Sequence, residues 1–291
     1  MDPAVSARLL RLATYASVTT AVILCGSKLF AWLMTGSVSV LASMVDSLLD
    51  ILASVINLFA VRYSLVPPDN EHRFGHGKAE SLAGLGQGAF IAGSAVFLGL
   101  QAIERLWNPQ PLTDTVVGIG VMLFAIVATG FLLSIQHYVI KRTQSTAIRA
   151  DSLHYLTDVL SNLSVIAALI LAALGWPGLD PLFALAVVGY IAYNAWQIVY
   201  EAVQALMDHE LSESEQARIY AIAWQPKQVR GVHGLRTRRA GQTCFIQLHL
   251  EMDADLPLMT THAIADEVRY ALEQTYPGAD VIIHQDPVQS H

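Results

Sequence analysis

The sequence predicts an all-α membrane domain of six helices over residues 1–207, followed by a small α+β domain over residues 208–291. Three observations predict it. Of the 291 residues, 54% are hydrophobic and 14% charged, with a mean hydropathy of +0.45, whereas soluble domains carry about 25% charged residues. Six apolar runs are each long enough to cross a hydrocarbon core of ~30 Å, which takes about 20 helical residues. After Asp208 these runs stop and strand-like alternation begins.

The runs occupy residues 13–34, 38–63, 82–103, 116–140, 153–174 and 181–203. The turn Thr35-Gly36-Ser37 and polar stretches at 67–80, 108–114, 141–151 and 175–180 separate them. The first run is longer than a signal-peptide core and more runs follow, so it reads as a span and not as a cleavable leader. Arg8, Arg11, Arg62, Arg73, Lys78, Lys141, Arg142 and Arg149 fall on one side of this arrangement, against Arg105 on the other. The positive-inside rule then places both termini in the cytoplasm, with an even number of spans.

In the last third, residues 212–224 form an amphipathic helix pattern with Ser212 as N-cap and Glu215 as its capping-box partner. Residues 229–237 and 243–252 read as strands joined by Arg239-Ala240-Gly241-Gln242, and CFIQLHLEM alternates with the period of a half-buried strand. Residues 259–276 read as a second helix stopped by Pro277-Gly278, and 280–285 as a third strand. The order αββαβ suggests helices packed on one face of a sheet.

Composition excludes several classes of function. The net charge of −7 comes from acids concentrated in the last third, and no basic patch suggests nucleic acid. The two cysteines, Cys25 and Cys244, fall in an apolar run and a strand, which argues against a disulfide and excludes a Cys-rich zinc site. No HExxH, GxSxG or phosphate-binding glycine loop marks an enzyme.

The chemistry-bearing residues form three groups. Asp46 and Asp50 lie four apart in the second run, and His154 and Asp158 four apart in the fifth. On a helix each pair shares one face, about 6 Å apart along the axis. A charged Asp at mid-bilayer costs roughly 3 kcal/mol even on the lenient insertion scale, so an intramembrane acid is a functional candidate by default. Three acids without a basic partner repel one another unless protons or a cation intervene. Lys28, the one nearby base, is free to snorkel. Three carboxylates and an imidazole suit a tetrahedral Zn²⁺ shell; Ca²⁺ and Mg²⁺ prefer all-oxygen sites. Ser43, Asn57 and Asn162 continue the two faces as donors to the carboxylates or as helix-packing contacts. The second group is Asp69, His72 and His76 in the polar loop, where flexibility implies weak metal binding. The third is His233, His249, His262, His284 and Asp286, drawn from different elements of the C-terminal domain. His284 and Asp286 share one face of the last strand, and imidazole with carboxylate again favours zinc. Gly84 and Gly88 form a GxxxG, which fits close helix packing within one chain or between two.

With these residues in view, the chain resembles the cation diffusion facilitator family, in particular its bacterial zinc/iron efflux members. The resemblance runs over essentially the whole length and rests on GSVSVLASMVDSLLD (36–50), HRFGHGKAE (72–80), RADSLHYLTD (149–158) and VIIHQDP (281–287). It implies a transport site at Asp46, Asp50, His154 and Asp158, a loop site at Asp69, His72 and His76, and a cytoplasmic binuclear site at His233, His249, His262, His284 and Asp286. It also implies a homodimer in the bacterial inner membrane, a metallochaperone-like cytoplasmic domain, and a charged interlock between Lys78 and Asp208. The activity implied is efflux of Zn²⁺, with Cd²⁺ or Fe²⁺ as further cargo, by proton antiport with alternating access. A membrane-anchored zinc sensor would need the cytoplasmic histidines but not the buried quartet. An intramembrane metalloenzyme would need an open coordination position.

Overall fold

The computed structural model describes residues 3–36, 38–107, 116–173 and 180–288. Six long helices come first: α1 (Pro3–Thr35), α2 (Val38–Ser64), α3 (Lys78–Trp107), α4 (Val116–Thr143), α5 (Thr146–Ala173) and α6 (Asp180–Leu206). They coincide with the six apolar runs but several extend beyond them. α1 begins ten residues before its run, with Pro3 at its first position, where the absent N–H costs nothing. α5 starts at Thr146, capped by the Ser145 hydroxyl, which accepts from the Ile148 N–H at 3.2 Å. Among the described residues, α1 to α4 contain stretches long and apolar enough to cross a membrane. α5 carries Arg149, Asp151, His154 and Asp158, and α6 carries Asn194, Gln197 and Glu201, polar groups that turn toward partners inside the bundle or along its edge. Arg149 pairs with Glu201 at 2.5 Å. Ser37 and the connections 108–114 and 175–179 lie outside the described residues, as does the side chain of Arg105.

Buried side chains hold the bundle together in two clusters. One gathers Leu10 and Ala13 of α1, Val61 of α2, Val139 of α4, and Ala147 and Ile148 of α5. The other gathers Ile91 and Ala95 of α3, Ala150 and Leu153 of α5, and Ile191, Ala195 and Ile198 of α6. The GxxxG is used within the chain. A Cβ on Gly84 would lie 2.9 Å from Thr146 Cγ2 of α5, and one on Gly88 would lie 2.9 Å from Val199 Cγ2 of α6. These two glycines let α3 sit against both neighbours at backbone range.

The C-terminal part runs α7 (Glu213–Ala223), β1 (Val229–Ala240), β2 (Thr243–Met252), α8 (Leu258–Thr275) and β3 (Asp280–Pro287), the expected αββαβ order. The sheet order is β1-β2-β3, with β1 antiparallel and β3 parallel to β2. β1 is longer than its pattern suggested, so the hairpin turn contracts to Gly241-Gln242, with Gly241 at φ +57°. Ser212 caps α7 by accepting from the Glu215 N–H at 3.4 Å, while its hydroxyl donates to the Glu215 carboxylate at 3.1 Å. Alternation along β2 sends Leu248, Leu250 and Met252 into a core with Ile219, Ile264, Val268 and Leu272 of the helices. The opposite face of β2 therefore carries Gln247, His249 and Glu251.

The glycine contacts give a direct test. Gly88→Ala should lower the melting temperature of the full-length protein, because the new methyl meets Val199. Gly86→Ala, whose Cβ meets nothing within 4 Å, should hold or raise it, since Ala is favoured over Gly in a helix by roughly 1 kcal/mol. Equal melting temperatures for the two variants would contradict the α3–α6 packing.

Candidate metal centres

In the helical bundle, α2 supplies Asp50 and α5 supplies His154 and Asp158. One ligand atom from each lies within 4.8 Å of the other two. His154 Nε2 is 3.0 Å from Asp50 Oδ1. Phe90 of α3 and Tyr155 flank the imidazole edge-on, with ring centroids 6.2 and 5.4 Å away. Tyr155 is itself fixed: its hydroxyl donates to the Ser17 carbonyl at 3.1 Å and accepts from Ser54 at 2.8 Å. A cation bonded at about 2.0–2.2 Å spans donors up to about 4.2 Å apart, so a small closure of these side chains would enclose one. Asp46, one turn before Asp50 on α2, is exposed and stands outside this group of three.

Lys28 does not snorkel. Its ammonium donates to Ser47 Oγ at 2.6 Å and to the Ser43 carbonyl at 3.1 Å, which ties α1 to α2. Asn57 is buried, and neither of its side-chain polar atoms has a hydrogen-bond partner among the described residues.

One acid of the bundle escaped the sequence reading. Asp151 is fully buried. Its carboxylate accepts from Ser17 at 2.5 Å, Gln136 at 2.8 Å and Gln87 at 3.1 Å, three neutral donors from α1, α4 and α3. The available signal was a further acid one turn before His154; the nearby Arg149 pairs with Glu201 instead.

The loop group is better ordered than its composition suggested. Asp69 Oδ1 accepts from the backbone N–H groups of Glu71 and His72 at 2.9 and 2.6 Å, closing an Asx-type turn. The His72 N–H bond holds the Asp69 carboxyl below the usual carboxylate range against the small opposing effect of burial. His76 is buried, with Nδ1 3.3 Å from the Val66 carbonyl and Nε2 3.4 Å from Asp69 Oδ2. A carbonyl only accepts, so Nδ1 donates to Val66 and Nε2 is the nitrogen turned toward Asp69. His72 completes the group, 3.6 Å from Asp69.

In the C-terminal domain, strand register brings three histidines into line. His233 of β1 pairs with His249 of β2, which pairs with His284 of β3. Their rings follow one another at centroid separations of 5.0 and 4.8 Å. Asp286 serves all three: Oδ2 lies 2.8 Å from His249 Nδ1 and 3.4 Å from His233 Nε2, and Oδ1 lies 3.1 Å from His284 Nε2. The hydrogen bond from His249, followed by the charges of the three imidazoles, lowers the Asp286 pKa, so its carboxylate stays ionised into acid. His262 is on α8, where it faces Asp266 at 3.5 Å, and is not part of this cluster in the single chain. Cys244 is buried, which pushes its thiol pKa up to about 11 and leaves it unsuited to metal binding.

Lys78 and Asp208 meet at the junction of the two parts, 2.9 Å apart within one chain, and Arg238 of β1 joins Asp208 at 3.2 Å. The same arginine lies over the rings of Phe74 and Phe245, at 5.0 and 4.5 Å. It thereby connects the loop that carries the second group to the sheet that carries the third.

Residues 14–207 match the family described as cation efflux transmembrane domain, and residues 211–288 match the cation efflux protein cytoplasmic domain. This chain belongs to the cation efflux, or cation diffusion facilitator, family. The cation-efflux pump FieF of Pectobacterium carotovorum subsp. carotovorum (strain PC1) is 53% identical over 98% of this chain and 95% of its own length. FieF of Yersinia pestis (strain Pestoides F) is 52% identical, over 99% and 95%. FieF of Salmonella choleraesuis (strain SC-B67) is 51% identical, over 96% and 93%. Among solved structures, a chain of CzrB is 36% identical, with a TM-score of 0.26, and covers 27% of this chain and 99% of its own. The protein is thus a multi-pass membrane transporter, not an enzyme, and its activity is efflux of divalent metal cations.

The junction has a defined pH signature. Partial burial raises the Asp208 pKa, but the hydrogen bonds and charges of Lys78 and Arg238 outweigh it and leave the pKa below its ordinary value. A carboxyl with a depressed folded-state pKa stabilises above its unfolded pKa of about 3.9 and loses that contribution as pH falls through the folded value. Asp208→Asn should therefore lower the melting temperature at pH 7, and the gap from wild type should close as pH falls below the ordinary carboxylate value of about 3.9. A gap that is constant with pH would mean that the pair is not what Asp208 contributes.

Proposed function

We propose that the protein binds one Zn²⁺ from the cytoplasm at Asp50, His154 and Asp158, with Asp46 swinging in as the fourth ligand, and exports it in exchange for protons. Cd²⁺ and Fe²⁺ are further cargo with compatible ligand chemistry. The observation that carries this reading is the 3.0 Å contact between His154 Nε2 and Asp50 Oδ1. A nitrogen and a carboxylate oxygen at that distance share a hydrogen, and a cation bonded to both atoms must replace it. Metal and proton thus compete for one place, which is the coupling an antiporter needs. When the site faces outward, protons reclaim the ligands and expel the metal; when it faces inward, metal displaces them.

In this reading residues 1–207 form the transport domain and residues 208–291 a cytoplasmic domain that binds metal and joins two chains into a homodimer. Both termini face the cytoplasm, and the membrane is the bacterial inner membrane, as the distribution of Arg and Lys supports. The Asp69, His72 and His76 loop binds a metal at the cytoplasmic mouth. The His233, His249, His284 and Asp286 cluster, joined by His262 in the dimer, senses cytoplasmic zinc.

Asp50→Ala should reduce zinc uptake into inside-out vesicles to background while the protein still folds, since removing one of several like charges relieves repulsion in the metal-free state. Near-normal flux in this variant would overturn the transport-site assignment. His154→Asp converts the site to all-oxygen donors, which are harder and tolerate Mn²⁺ better. The ratio of Zn²⁺ to Mn²⁺ transport should fall in this variant, and an unchanged ratio would show that selection takes place elsewhere.

A further inference from the structure

The polar face of the sheet carries a second row of residues behind the histidines. Along each strand, residues two apart share a face. Stepping two positions from His233, His249 and His284 gives Gly231, Glu251 and Asp286, which the register also aligns: Gly231 opposite Glu251, and Glu251 opposite Asp286. Three imidazoles thus face a row made of a glycine and two carboxylates. Asp286 is one of the carboxylates already placed in the cluster; Glu251 is the other.

Two features bring the Glu251 carboxylate toward His233. Glu251 Oε1 lies 3.3 Å from His233 Nε2, the nitrogen that also faces Asp286. Two donors on one tetrahedral ion with bonds of about 2.0–2.2 Å are about 3.3–3.6 Å apart, so this pair already has the spacing of two ligands. The cross-strand partner of Glu251 is a glycine. A Cβ on Gly231 would lie 2.4 Å from Glu251 Oε2 and 2.8 Å from its Cδ. The carboxylate therefore lies over the space that any larger residue at 231 would fill.

We propose that Glu251 is a metal-binding residue of the cytoplasmic cluster, supplying a carboxylate oxygen on the His233 side, and that Gly231 keeps the space in which it does so. The proposal rests on reading the cluster as a metal site and adds a donor to it. An added anionic oxygen opposite Asp286 favours a divalent ion of borderline hardness such as Zn²⁺ and gives the His233 side a ligand independent of Asp286.

The test is Zn²⁺ titration of the full-length protein in detergent, in a background carrying Asp50→Ala and Asp69→Ala so that the remaining binding reports the cytoplasmic cluster. Glu251→Gln should weaken that binding by about tenfold or more, since loss of even a residue that only orients a metal ligand costs that much. Gly231→Ala should weaken it in the same direction while every donor remains in the chain. With Co²⁺ in place of Zn²⁺, both variants should change the visible absorption of the bound ion, a readout that loss of strand stability alone would not move. Wild-type affinity and an unchanged Co²⁺ spectrum in Glu251→Gln, while His249→Ala loses binding, would overturn the role of Glu251 and leave the cluster intact. Unchanged binding in His249→Ala would overturn the cluster itself and the proposal with it. If Glu251→Gln lowers the melting temperature of the metal-free protein, Glu251→Asp decides between the outcomes: the shorter side chain keeps the charge but draws it back from His233, and must weaken binding if Glu251 is a ligand.

Discussion

The helical part of this protein is organised around carboxylates in surroundings that do not solvate them. A buried carboxylate must find donors, a counter-charge or a proton. Asp151 finds donors: Ser17, Gln87 and Gln136 come from three different helices, and none brings a charge. Its burial therefore fixes α5 against α1, α3 and α4 at one height. About one and two turns further along α5, His154 and Asp158 face Asp50 of α2. Tyr155, between them in sequence, is bonded to Ser17 and Ser54, so the same serine of α1 that supports Asp151 also anchors the residue beside His154.

The two parts of the chain meet through contacts that reach the loop and the sheet together. The hairpin tip of β1 and β2 sits on the loop before α3 so closely that a Cβ on Gly77 would lie 2.2 Å from the Ala240 carbonyl oxygen. Gln242 next to it donates to the Thr143 carbonyl at the end of α4 and accepts from Ser6 of α1. Arg238 adds its stacking on Phe74 and Phe245 and its ion pair with Asp208. Exposed ion pairs contribute little by themselves; here the glycine contact and the stacked rings fix the geometry, and the charges of Lys78, Asp208 and Arg238 select it. Movement of the loop that holds Asp69, His72 and His76 must therefore be felt by the sheet.

In the C-terminal domain one alternation serves both stability and chemistry. The same period of two that sends Leu248, Leu250 and Met252 into the core leaves His249 and Glu251 on the open face. A slip of one residue would bury the histidine and expose the leucines, so the hydrophobic core enforces the register that lines up the histidines. The parallel pairing of β3 with β2, which needs α8 as its crossover, is what sets His284 and Asp286 beside His249 and Glu251.

The sequence by itself determined the six helices, the αββαβ order and the chemistry of the three groups. Apolar length, capping residues and side-chain type are local properties, and a carboxylate in an apolar run announces itself wherever the helix packs. Tertiary structure decided which of those residues meet. Asp50, His154 and Asp158 come together while Asp46 stays outside, because the rotation and tilt of a helix are set by its packing against other helices. His76 gained its ring orientation from a carbonyl ten residues earlier, and Lys28 its place from serines on another helix. Asp151 and Glu251 stayed hidden for the same reason: each is one more acid in its segment, and its meaning lies in the donors and the glycine that non-local contacts set against it.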